Sequence, residues 1–288
     1  MDKDDSVAIQ GWFSRAAASA ALVSVCAVST ACGSPTSPSQ WMLINHWMID
    51  AVTTEQAPLA LQCLLIDVNP TSQSVVSSAQ LQAPGLHTRS FSQQELPIGN
   101  DTLEFQLHFS AVATQSMRGG EPTLTIATPD WTHTFSFGEM DVMLVPKSVD
   151  WLLPLRSFAG ESGAFATSHV FAMAVKNPLP HAVTFDGFAV GGGVDVERTA
   201  YVINPKEIPL TIPKQAKDVR APISIAPGQT VALYCAFRQP SAYRNVYFQP
   251  ALQLSYEGQP GYELTNPALY TETKFKGDPT AIYPTVNG

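Results

Sequence analysis

Three side chains near the start of the apolar body could do metal chemistry together. Met42, His46 and Met48 fall at even spacing. One strand across them would put two thioethers and an imidazole on a single face, a ligand set suited to Cu(I). The same spacing is also that of an apolar first strand facing a core. Met140 and Met143 differ by an odd number and would point to opposite faces. Serines are abundant, but no GxSxG occurs, and the Ser of GESGAF (160–165) lacks that spacing. No two acids stand at a recognisable separation, and Asp186-Gly187 reads as a turn. VGGGV (190–194) follows no dinucleotide-binding pattern and reads as a flexible loop or bulge. No catalytic set emerges, so the chain is expected to be non-enzymatic and to carry no cofactor, with copper handling as the alternative.

A second group of residues suggests binding. An insertion expected over 191–220 holds Arg198, Lys206, Lys214, Lys217 and Arg220, five of the 16 basic residues, together with Tyr201 and four acids. Arg198, Tyr201, Lys206, Lys214 and Lys217 are the candidate contacts, because binding groups are often carried on loops of a rigid scaffold. An ordinary solvated loop or an extra hairpin accounts for the same residues. The net charge of −8 argues against a surface that tracks nucleic-acid phosphates.

These residues must be positioned by strands. After residue 40 the pattern is mostly of period two, broken by turn residues. It is also duplicated. TLEFQLHF (102–109) matches TVALYCAF (230–237), and EPTLTIATP (121–129) matches QPALQLSYE (249–257) at the same offset. Upstream, LLIDVNPTSQSVV (64–76) parallels FAMAVKNPLPHAV (171–183) at an offset about 20 shorter, hence the insertion in the second copy. His108, beside Glu104 and Gln106, falls on the outward face of its strand. In the second copy Ala232, Tyr234 and Ala236 take that face, and would pack on the other module or on a partner. The expected fold is all-β, two β-sandwiches in tandem: module 1 at 41–146, a linker or first strand of module 2 at 147–167, and module 2 at 168–288.

Cysteines occur at 26, 32, 63 and 235, without a CxxC or a zinc spacing. Cys63 and Cys235 sit on inferred core strands of different modules, where burial as small hydrophobes is the simpler reading than a bridge. Cys32 is different. AAASAALVSVCAVSTA (16–31) is an apolar run of signal-peptide length, and Cys32-Gly33 follows it, leading into SPTSPSQ. The stretch resembles bacterial lipoprotein signals, departing from them at Ser29 and in the acids of residues 2–5. That resemblance implies cleavage of residues 1–31, lipid attachment at Cys32 and a tether over 32–40. An ordinary cleaved signal or a single anchor helix would give the same apolar run.

VKN (175–177) and ISIAPGQTVALYCAF (223–237) resemble a family of small immunoglobulin-like domains of bacterial exported proteins and lipoproteins, which includes a secreted immunogen. The first copy, with IGNDTLEFQLHF (98–109), lacks the PG turn. The resemblance implies immunoglobulin-like modules, an extracytoplasmic address at the cell membrane, and a protein or cell-envelope partner. It implies no specific activity.

Overall fold

The computed structural model describes residues 40–43, 46–68, 70, 75–99, 102–129, 131–159, 169–209, 211–238 and 245–271. The expected signal peptide, Cys32 and all of the tether except Gln40 lie outside these residues. The regular structure they form is β throughout. Among the described residues no helix is long and apolar enough to cross a membrane.

The first half of the chain forms β1 (Gln40–Leu43), β2 (Trp47–Thr53), β3 (Leu59–Val68), β4 (Ser78–Ala83), β5 (Leu86–Gly99), β6 (Thr102–Ala113), β7 (Met117–Gly120), β8 (Thr123–Ala127), β9 (Thr132–Ser136) and β10 (Gly138–Leu144). The second half forms β11 (Leu153–Ala159), β12 (His169–Lys176), β13 (Val183–Ala189), β14 (Asp195–Ile203), β15 (Lys217–Asp218), β16 (Ile223–Ile225), β17 (Thr230–Arg238), β18 (Asn245–Gln249), β19 (Ala251–Tyr256), β20 (Gln259–Leu264) and β21 (Ala268–Thr271).

The duplicated segments occupy equivalent places. β3 pairs with β6 as β12 pairs with β17, and β5 flanks β6 as β14 flanks β17. β4 pairs with β8 as β13 pairs with β19, and each of β8 and β19 turns back into a hairpin partner. The β19–β20 turn is Glu257-Gly258, with φ of 50° and 77°, the two positive angles that a two-residue hairpin requires. The first half thus builds a seven-stranded sheet in the order β1-β3-β6-β5-β4-β8-β9. The second builds β11-β12-β17-β14-β15 and β16-β13-β19-β20.

A fifth group of strands joins the halves. The central sheet runs β21-β18-β2-β10-β7. β2 lies in the middle, parallel to β10 of its own half and parallel to β18 of the other. Trp47, Ile49 and Ala51 face a core shared with β3, β6 and β8, while Met48 faces a second core with Phe171, Leu233 and Phe248. β18 alternates likewise, Tyr247 entering the first core and Val246 and Phe248 the second. Every residue of β2 is buried. A strand covered on both faces loses polar alternation, which is why WMIDAVT reads as a continuous apolar run around one acid.

The two motifs behind the immunoglobulin-like resemblance meet in space. Asn177 donates its backbone N–H to Gln229 O (3.0 Å) and accepts at its own carbonyl from Gly228 N (2.8 Å). Its side-chain amide donates to His181 O and Ile225 O, and its Oδ1 accepts from Leu179 N. Asn177 is fully buried, so these bonds meet polar groups that would otherwise be stranded.

Of the region 147–167, expected as a linker or the first strand of module 2, the part up to Ala159 is described and ends in a strand, and 160–167 lie outside the described residues. Ser148 bridges to Tyr262, and β11 pairs with β12. Several expectations need correction. The insertion does not begin at 191, because β14 holds the place of β5; the extra residues enter from Asn204 onward. The outward Ala232 and Tyr234 are covered from within their own half. They lie with Ala172 and Ala200 in a small cluster covered by Ile208, Ile212 and Ala216 of the insertion itself. The equivalent face in the first half is polar at Gln106 and His108 and needs no such cover. Glu104 on that face is buried, not surface, and accepts from Gln106 Nε2 (2.9 Å).

Candidate functional site

The most concentrated polar chemistry among the described residues lies where the halves meet. Asp50 is the one acid of β2, and it is fully buried. β2 and β10 run parallel with Asp50 opposite Asp141, so both carboxylates stand side by side on the sheet face toward the second half. The loop between β13 and β14 comes down on that face. Gly191 N donates to Asp50 Oδ1 (2.6 Å), and Gly192 N (2.9 Å), Gly193 N (2.7 Å) and Val194 N (3.0 Å) all donate to Oδ2. Asp141 Oδ1 accepts from Gly119 N at 2.8 Å.

Glycine is required here for space. A Cβ on Gly191 would overlap the backbone oxygen of Asp141, and one on Gly193 would overlap the Met48 methyl and sit 2.7 Å from Asp141 Oδ2. Gly192 has φ +115°. VGGGV, expected as a flexible loop or bulge, is the loop between β13 and β14. Successive backbone N–H groups form a concave anion nest, and Asp50 fills it.

Burial raises the Asp50 carboxyl above its ordinary value, and the four backbone donors pull the other way. Burial also raises Asp141. The Gly119 N–H and Arg118 oppose that, and Glu139 adds to it. Asp50 has one oxygen engaged once and the other three times, so little acceptor capacity remains for a substrate proton. The arrangement can join two parts of a chain.

A second buried acid does similar work at the next joint. Glu263 on β20 accepts from Leu152 N at 2.9 Å. Burial pushes its pKa up to about 7, against the pull of the Leu152 and Trp151 N–H groups.

The sites expected from sequence fare unevenly. Met42, His46 and Met48 do not share a strand. The chain passes from β1 in the seven-stranded sheet to β2 in the central sheet, and Met48 ends in the second core. His46 lies between the two strands, with Nε2 3.4 Å from Ser136 Oγ, and burial lowers its pKa. Among the described residues no three His, Cys, Asp or Glu side chains converge as a metal-holding group. Arg198 donates to Asp218 at 2.7 Å, Tyr201 packs against the second core, and Lys206, Lys214 and Lys217 are exposed and solvated. Cys63 and Cys235 are both buried and free. Asp50 itself was not picked out by sequence reasoning. The available signal was a lone acid in an apolar strand, together with a triple glycine whose partner could not be read.

No protein-family profile matches the chain, and no curated protein matches it.

Proposed function

We propose that this protein is a non-enzymatic extracytoplasmic lipoprotein, held at the cell membrane through Cys32. Its two immunoglobulin-like modules act as one rigid binding or assembly unit toward a protein or cell-envelope partner. The observation that carries the reading is the Asp50 joint. The best-built polar site in the described residues spends its carboxylate on holding one half of the chain to the other. Strand order supports the modular part. In the second half β11-β12-β17-β14 and β13-β19-β20 follow the A-B-E-D and C-F-G order of immunoglobulin sandwiches as two sheets, and in the first half β1-β3-β6-β5 and β4-β8-β9 follow the same order within one sheet, joined through the β4–β5 pairing. A scaffold of this kind fits recognition by surface loops better than chemistry in a cleft.

Metabolic labelling with palmitate tests the anchor. Label is expected in the wild-type chain and absent from Cys32→Ala, which should be released from the membrane fraction. Equal labelling of both chains, or of neither, sinks the anchored reading.

A further inference from the structure

The strands of the seven-stranded sheet all pair antiparallel. One end of that sheet therefore collects the start of β1 at Gln40, the end of β3 at Val68, the β5–β6 turn, the start of β4 at Ser78 and the turn from β8 to β9. The connections to the central sheet, through Leu43, Leu59, Ala113, Thr123 and Ser136, all join it at the opposite end.

Apolar side chains stand out of the first end. Trp131 is 68% exposed and Val75 46%. Pro129 follows β8, the strand between them, and is exposed too. The tryptophan is held in place. Thr128 N donates to Trp131 O (2.8 Å), Trp131 N donates to Thr128 Oγ1 (3.1 Å), and that hydroxyl donates to Trp131 O (3.2 Å). On the other flank Ser77 N donates to Ala127 O (2.8 Å), which fixes the chain beside Val75. The flanks are two strand spacings apart, about 10 Å, so the three side chains form one patch. A tryptophan fixed in water returns no packing to the fold, the pattern of a contact residue.

What lies beyond this end follows from the chain. Cys32 stands eight residues before Gln40, and eight extended residues reach about 26 Å. A chain anchored at Cys32 keeps this end, and not the second half, beside the bilayer. Segments 69–77, 100–101 and 128–131 hold two acids, Asp101 and Asp130, and no Lys or Arg. They offer no attraction to anionic headgroups, which leaves the apolar patch as the group that fits a membrane. Tryptophan suits that boundary, with an apolar ring and one polar N–H.

We propose that Trp131, with Val75 and Pro129, enters the headgroup boundary of the bilayer and sets the first half end-on to the membrane. The proposal rests on the anchored reading above and adds an orientation to it.

Lipid-borne quenchers test it. The chain from Cys32 to Gly288, which holds every described residue, is coupled through Cys32 to a maleimide phospholipid in phosphatidylcholine vesicles; Cys63 and Cys235 are buried and stay uncoupled. Trp131 is read as the emission lost in Trp131→Phe. Lipids brominated high on the acyl chain are expected to quench that component about twofold, and the vesicles should shield it from acrylamide. Val75→Asp, at an exposed position, should remove most of the quenching and leave the melting temperature unchanged. A Trp131 component that the brominated lipids leave unquenched overturns the proposal, as does full quenching in Val75→Asp. Shielding that follows protein concentration without vesicles also overturns it, and gives the patch to a second copy. Because the coupling is chemical, the result is separate from palmitate labelling: a labelled chain with Trp131 unquenched keeps the anchor and loses the orientation.

Discussion

Asp50 and Gly193 stand 143 positions apart in the chain, and the carboxylate of the first accepts the backbone N–H of the second at 2.7 Å. The same carboxylate holds three neighbouring N–H groups. Together with the parallel β2–β18 pairing, this makes the two halves share both a sheet and a polar joint.

Removing the carboxylate should therefore loosen both halves at once. Asp50→Ala leaves four N–H groups without their acceptor, that of Val194 buried and the three glycine groups part-buried, and is expected to cost about 3 kcal/mol. Asp50→Asn, which keeps one oxygen in place, should cost less. Urea unfolding followed by fluorescence would check this. A drop confined to a small part of the transition would show that the halves are not coupled through Asp50.

The glycines of the nest should rank by what their new methyl meets. Gly191→Ala runs into the Asp141 backbone, which cannot step aside, whereas Gly193→Ala meets the movable end of Met48 first. Gly258→Ala has nothing within 4 Å and pays only for its φ of +77°, about 1 kcal/mol. Thermal melting temperatures are expected to fall most for Gly191→Ala, less for Gly193→Ala and least for Gly258→Ala.

Glu263 makes stability depend on pH with a definite sign. Its folded pKa, about 7, lies above the ordinary carboxyl value of 4.5. The native state holds the proton more tightly, so the full stability is present below pH 4.5 and is lost as pH rises toward 7. Glu263→Gln keeps an oxygen for Leu152 N and removes the titration. Melts at pH 5 and pH 8 should show the variant gaining on the wild type at the higher pH, by on the order of 2 kcal/mol. An identical pH profile in the two proteins would rule this out.

Tyr234 offers a gain. Its hydroxyl is buried beneath the insertion with no partner, and burial raises its pKa. Tyr234→Phe keeps the ring among Ala172, Ala200 and Ala232 and removes the unmet group, so stability should rise by about 1 kcal/mol. Ile208→Asp, which puts a charge against the same alanines, should instead expose Tyr234 to quenchers and lower the melting temperature.

Some of this was legible in the residues. Leu107 opposite Cys63, and Phe171 opposite Cys235, occupy the apolar faces that alternation in TLEFQLHF and TVALYCAF indicated. Asn177 and the PGQT turn were legible as turn chemistry, though not as partners in one corner. The metal-like spacing of Met42, His46 and Met48 misled, because period-two reasoning assumes one continuous strand and the chain changes sheets between Leu43 and Trp47. The face of Ala232 and Tyr234 misled for a related reason: its cover comes from Ile208 and Ile212 of the same chain.

By itself the sequence determined the β character, the duplication and the turn positions, because side-chain period, glycine and proline act over a few residues. It also carried the lipoprotein-like run before Cys32. Only the tertiary structure decided that β2 is shared between halves and that Asp50 belongs to Gly191–Val194. A buried strand shows the same apolar run whichever neighbours it has, and a backbone N–H nest has no side chains to announce its ligand. Those pairings follow from which surfaces bury each other across more than a hundred residues, and no local spacing records that.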